Sequence, residues 1–125
     1  MYHYDDQNVF ARILRGEIPN ETVAETEHTL AFNDITPQAP VHVLVVPKGK
    51  YVTYDHFHIE ASDEEIVDFH RTCARISMDK GVAPINGDGF RAITNAGEHA
   101  VQEVPHFHMH LIGGRALGRM LAKTS

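Results

Sequence analysis

His106-Phe107-His108-Met109-His110-Leu111-Ile112 alternates polar and apolar residues from His106 through Leu111. On an extended strand successive side chains point to opposite faces, so the three imidazoles share one face and Phe107, Met109 and Leu111 the other. The alternation predicts a sheet strand from His106 to Ile112, closed by Gly113-Gly114, with one face turned to a core and a row of histidines on the other. Adjacent imidazoles on such a strand stand roughly 6 to 7 Å apart, a spacing that suits successive atoms of an extended ligand such as a phosphate ester. A solvated polar face is the simpler account of any single histidine here. Three at period two argue against it, because histidine is a mediocre strand former and neighbouring imidazoles repel once protonated.

Working outward, Phe90 to Thr94 reads as a second strand, reached through a Pro84 to Gly89 loop. Upstream of that loop, Ser62-Asp63-Glu64-Glu65 has the spacing of a capping box. Ile66, Phe69, Cys73 and Ile76 follow as an apolar stripe that stops at Gly81, a helix packed by one face. Thr22 to Thr26, Thr29 to Asn33 and Val41 to Val46 are strand-like, divided by Glu27-His28 and by Pro37-Gln38-Ala39-Pro40. Val9, Phe10, Ile13 and Leu14 recur at helical spacing, with Asp5, Asp6 or Asn8 as cap and Gly16 as stop. The expected fold is therefore α+β: a five-stranded antiparallel sheet with two flanking helices.

At 125 residues, without repeats or low-complexity linkers, one domain over residues 1–125 is expected. No apolar run approaches the ~20 residues that cross a bilayer and no segment reads as an export signal, so no membrane association is expected. The one cysteine, Cys73, can form neither an internal disulfide nor a cysteine zinc knuckle, which fits the cytoplasm. A formal charge of −6 argues against a nucleic acid polymer as partner, since such binding relies on many Lys and Arg. The ten histidines leave room for a small anion.

A neutral imidazole is a nucleophile at pH 7, and a phosphorus bound to it remains open to water. His108, in the middle of the row, suits that role, while its neighbours can supply donors to phosphate oxygens. Two other classes compete: a zinc-dependent hydrolase using a His-x-His pair plus a third histidine, and a nucleotide-binding regulatory module with incidental turnover. Against zinc, three same-face histidines in a row converge poorly on one ion, and Glu103 is the only acidic residue close to them in sequence. His56-Phe57-His58 repeats the spacing, but beside Tyr54, Asp55 and Glu60 it reads as a polar surface loop. His42, the only polar residue in Val41 to Val46, is either a hydrogen-bonded core histidine or a group that orients a neighbouring imidazole.

With Leu111-Ile112-Gly113-Gly114 after it, the histidine row resembles the signature of the histidine-triad (HIT) superfamily. Val9-Phe10 through Gly16-Glu17-Ile18-Pro19, Leu30 through Ile35, Pro37-Gln38-Ala39-Pro40-Val41-His42 with Pro47-Lys48, and Asn95-Ala96-Gly97 are similar, in the right order, to the nucleotide-binding (HINT) branch, bacterial type. The resemblance implies hydrolysis of purine nucleoside 5′-phosphoramidates or related nucleotidyl conjugates through a nucleotidyl-histidine on His108, with no cofactor, in a homodimer whose sheets pair. It assigns phosphate and leaving-group contacts to His110, support of the nucleophile to His106, and a fourth histidine reaching the triad to His42.

It further matches Asp34 to a ribose-binding carboxylate, whose two oxygens can accept from vicinal hydroxyls. Phe10, Ile13, Ile18, Phe32 and Ile35 match walls around the base, and Asn95 and Gln102 match polar positions that hold phosphate. Three departures stand out. Glu103 takes a position where some members carry serine. Asp5-Asp6-Gln7-Asn8 stands where many carry a Cys-x-x-Cys zinc pair, so no structural metal is expected. The tail Leu117-Gly118-Arg119-Met120-Leu121 lacks a tryptophan found in some members.

Overall fold

In the computed structural model, which describes residues 2–124, one antiparallel sheet carries five strands. They are β1 (Thr22–Glu25), β2 (Thr29–Asn33), β3 (Val41–Pro47), β4 (Phe90–Ile93) and β5 (Met109–Gly113), in the order β1-β2-β3-β5-β4. The register sets Phe32 opposite Leu44, Leu44 opposite His110, and His110 opposite Ile93. Directly opposed residues share a face, so the alternation of each strand divides the protein into two apolar layers. Ala31, Val43, Val45, Met109 and Leu111 face one way and pack with Phe57, Phe69, Ile76 and Phe107. Leu30, Phe32, Leu44 and Val46 face the other way and pack with Phe10.

The first layer is covered by α3 (Asp63–Asp79), whose capping box forms as expected. The Ser62 side chain accepts from the Glu65 amide, and the Glu65 carboxylate accepts from the Ser62 amide at 3.1 Å. The second layer is covered by α1 (Val9–Leu14), begun by Asn8, whose side-chain oxygen accepts from the Ala11 amide at 2.9 Å. β1 and β4 end one residue earlier than expected, and β3 runs one further, to Pro47.

Two sequence expectations require correction. His56-Phe57-His58 lies not in a polar loop but within a third helix, α2 (Tyr54–Glu60), so the sheet has one flanking helix beyond the two expected. Thr53 caps it by accepting from the His56 amide, and Phe57, fully buried, stacks on Phe107 with ring centroids 5.0 Å apart. One buried aromatic anchors about two turns of helix whose other positions are polar apart from the exposed Ile59, a pattern too short for periodicity to register. The second correction concerns the histidine strand, which begins at Met109 rather than His106. Extending the β3–β5 register beyond Val45↔Met109 would set Phe107 opposite Pro47, which has no amide hydrogen for the ladder. The Phe107 amide instead donates to the Tyr51 carbonyl at 2.7 Å. The Pro47 carbonyl accepts from the ring of His106.

Candidate active site

The break in the ladder gives the three histidines different surroundings. His106 is fully buried, His108 is 6% exposed, and His110 sits half-buried on β5. A carbonyl can only accept a hydrogen bond, so ring nitrogens facing carbonyls carry the hydrogen, and the network assigns the tautomers. His108 Nδ1 lies 2.8 Å from the His106 carbonyl and donates to it, leaving Nε2 with a free lone pair. His106 Nε2 donates to the Pro47 carbonyl at 2.9 Å, so its Nδ1 accepts from the Tyr4 hydroxyl at 2.6 Å.

His42 and His110 lie on the same sheet face as diagonal neighbours across β3 and β5. His42 Nδ1 accepts from the Gln38 amide at 3.1 Å, so its hydrogen is on Nε2, 2.9 Å from His110 Nδ1 and 3.3 Å from Asp34 Oδ2. His110 therefore accepts at Nδ1 and keeps a hydrogen on Nε2. The result is a lone pair on His108 beside an N–H donor on His110, their ring centroids 5.1 Å apart. These are the two polarities that a phosphorus centre and its oxygens require.

Burial keeps the three triad rings uncharged. It pushes His108 below the ordinary histidine range, although the bond to the His106 carbonyl and the charges of Asp34 and Glu103 pull the other way. Burial, then the neighbouring His108 and His42, lowers His110 to about 4. Burial also lowers His106 to about 4 against its bond to Pro47. The His108 lone pair is thus available at neutral pH without a separate base.

His108 and His110 line a cleft of about 560 Å³. Of the residues expected around a ligand, Phe10, Ile13, Ile18, Phe32, Ile35, Asp34, Asn95 and Glu103 all border it. Phe10 and Phe32 are buried and meet edge to face, and Phe10 also touches His108, whereas Ile35 is 96% exposed at the mouth. Asp34 is partly engaged already: Oδ1 accepts from the Thr36 amide at 2.8 Å. Glu103 is exposed on the rim.

Gln102 is the exception. It does not border the cleft; its amide nitrogen donates to the carbonyls of Val52 and Val104, and its oxygen accepts from the Gly97 amide. Its work is to staple the loop that leads into the triad. Within that loop Val101 adopts a left-handed conformation, φ 58°, an unfavourable setting for a β-branched residue, and it borders the cleft. Tyr4, which sequence reasoning left aside, contacts the triad directly through His106. The only trace of it in the sequence is an aromatic pair, Tyr2 and Tyr4, in an otherwise polar arm.

The triad does not form a metal-ligand set, because His106 has both ring nitrogens committed away from the cleft. Among the described residues, the donor atoms that do converge belong to Asp34, His42 and His110, all within 4.8 Å of one another. There the His42 hydrogen lies between the other two acceptors, and the free nitrogen of His42 is taken by Gln38. In this arrangement the His42 N–H orients His110, and Asp34 lies beside it at the longer distance.

Comparison with known proteins gives a consistent result. The HIT domain description matches residues 15–117. The chain is 52% identical to an uncharacterized 13.2 kDa HIT-like protein of Azospirillum brasilense over 96% of each chain. It is 39% identical to the purine nucleoside phosphoramidase of Escherichia coli (strain K12), covering 94% of this chain and 95% of that protein. Among solved structures, the HIT family hydrolase from Clostridium thermocellum superposes with a TM-score of 0.83 at 36% identity, over 94% of this chain and 99% of the other.

Proposed function

The chain belongs to the HIT domain family, and on that basis we propose that it is a hydrolase of purine nucleoside 5′-phosphoramidates or related nucleotidyl conjugates, acting through a nucleotidyl-histidine on His108. The observation that carries this reading is the pairing of a bare His108 Nε2 with a neighbouring His110 Nε2–H in one cleft. A regulatory binding module would need the apolar walls and Asp34, but not a nucleophile held in one tautomer.

In the first step His108 Nε2 forms a bond to phosphorus and the bond from phosphorus to the leaving nitrogen breaks. That nitrogen departs as an amine, with a proton taken from solvent at the open mouth beside Glu103. His110 Nε2–H donates to a non-bridging oxygen as charge gathers there. In the second step water attacks phosphorus, the P–Nε2 bond breaks, the water proton passes to solvent, and the nucleoside monophosphate leaves with His108 restored. The apolar walls from Phe10, Ile13, Ile18, Phe32 and Ile35 suit a purine, with Asp34 reaching the ribose and Asn95 a phosphate oxygen. No resident metal or cofactor enters this scheme.

Intact-protein mass spectrometry after rapid mixing with adenosine 5′-phosphoramidate tests it. An acid-labile adduct of one nucleotidyl group, formed equally with chelator, is the expected result. Binding without adduct or turnover favours a regulatory module, and turnover lost to chelator favours zinc. Asp34→Ala is expected to raise KM about tenfold or more with a much smaller change in kcat, because it removes an interaction made before and during the reaction alike. A steady-state series with the same substrate reads this directly, and an unchanged KM would remove Asp34 from the ribose site.

We also propose that the whole chain acts as one HIT domain, within a homodimer in the cytoplasm. β4 is a sheet edge, and antiparallel pairing of two such edges would continue the sheet across a two-fold axis. Cys73 is a free thiol, as a reducing compartment allows. No helix among the described residues is long and apolar enough to cross a membrane. Light scattering coupled to gel filtration is expected to return twice the 14.0 kDa chain mass; a monomer at micromolar concentration would rule the pairing out.

A further inference from the structure

His106 does not border the cleft, yet both of its ring nitrogens are hydrogen-bonded and its carbonyl holds the Nδ1 hydrogen of His108. One of those two ring bonds comes from outside the sheet, from the hydroxyl of Tyr4 at 2.6 Å, with the rings edge to face at 5.6 Å. We infer that Tyr4 is a positioning residue for the reaction: its hydroxyl fixes the buried ring of His106, and through the carbonyl of that residue it holds the nucleophile in the tautomer that bares Nε2. The inference rests on the reading of His108 as nucleophile and extends the site to the N-terminal arm.

The arm is built to hold the hydroxyl there. Tyr2 stacks on His56 of α2, with centroids 4.0 Å apart and planes 3° from parallel, and its hydroxyl donates to Asp55. Asp6 pairs with Lys50 at 2.8 Å, and the Arg15 guanidinium donates to the Asp6 carbonyl. The Asn8 side-chain amide donates to the Asp5 carbonyl at 2.7 Å, tying the arm to the start of α1. Burial raises the Tyr4 phenol above its ordinary range, so it remains a donor at neutral pH. Without that donor, the Nδ1 of a fully buried imidazole loses its hydrogen-bond partner. The ring and the peptide that follows it are then free to shift, and His108 loses its fixed acceptor.

Tyr4→Phe keeps the ring and removes only the hydroxyl. The expected result is a fall of about tenfold in kcat and in the rate of adduct formation, with KM for adenosine 5′-phosphoramidate unchanged. Tyr54→Phe, which removes a half-exposed hydroxyl on α2 and leaves the arm intact, is expected to leave both rates as they are. Long-range ¹H–¹⁵N spectra of the histidine rings, recorded without substrate, are expected to show His108 as a single Nδ1–H tautomer in the wild type and as a mixture in Tyr4→Phe. If a cooperatively melting Tyr4→Phe shows the wild-type His108 signal, or forms adduct at the wild-type rate, the inference is overturned. Absence of adduct from the wild type would defeat the proposed reaction instead, and the ring spectra would still decide the role of Tyr4.

Discussion

His108→Ala is expected to form no nucleotidyl adduct and to lose at least about a thousandfold in kcat/KM, equivalent to about 4 kcal/mol of transition-state stabilisation. The size of the effect follows from the chemistry of the position. No other described side chain on the cleft combines a lone pair free of hydrogen bonds with burial that keeps it uncharged: His110 Nδ1 is occupied by His42, and His106 is turned away. Binding should survive, because Phe10, Phe32, Asp34 and Asn95 are untouched, so the affinity for AMP measured by calorimetry is expected to change only a few-fold. Loss of turnover with retained binding separates removal of the nucleophile from collapse of the site. Full turnover in His108→Ala would mean that the bond to phosphorus is made by another group or by water directly, and the covalent mechanism would be wrong.

Much of this site was legible in the sequence, because the fold turns simple periodicities into shared faces. Alternation in 106–112 put Phe107, Met109 and Leu111 into one layer, and the lone polar residue of β3 proved to be a histidine bonded to another. What stayed hidden depends on contacts between distant segments. Where β5 starts is decided by Pro47, sixty residues away from Phe107, and not by the alternation. Phe57, between two histidines, shows no apolar stripe in the sequence until Phe69 and Phe107 are folded against it. Gln102 lies in the stretch that resembles a phosphate loop, yet the demands of three backbone groups claim its side chain first. Tyr4 carries no local pattern beyond its pairing with Tyr2, since its contact exists only because His106 is buried beside His108.

The same burial that keeps the His108 ring uncharged should make the protein sensitive to mild acid. His106 and His110 sit at about 4 in the folded chain, against an ordinary value of roughly 6.5 when unfolded. Between these values the unfolded chain binds more protons than the folded one, so stability rises with pH across the window: it is full above about 6.5 and is lost as pH falls towards 4. At pH 5 a group shifted this far costs about 2 kcal/mol by linkage, and with His110 counted at less because it is partly exposed, the pair costs about 3 kcal/mol. That is a large share of the 5 to 15 kcal/mol typical of a domain. Lowered carboxylates, such as Asp68 beneath the hydroxyls of Thr26 and Thr29, act in a separate and lower window, since they are protonated only below the ordinary carboxylate range. Urea unfolding at pH 7.5, 6 and 5 should therefore show the midpoint falling above the window in which the lowered carboxylates are protonated. NMR titration should show the His106 and His110 ring signals flat down to about pH 5 while the fold persists. A midpoint that holds constant from pH 7.5 to 5 would mean that these imidazoles charge without cost. The neutrality assigned to the His108 lone pair would then lose its physical basis, since it rests on the same desolvation.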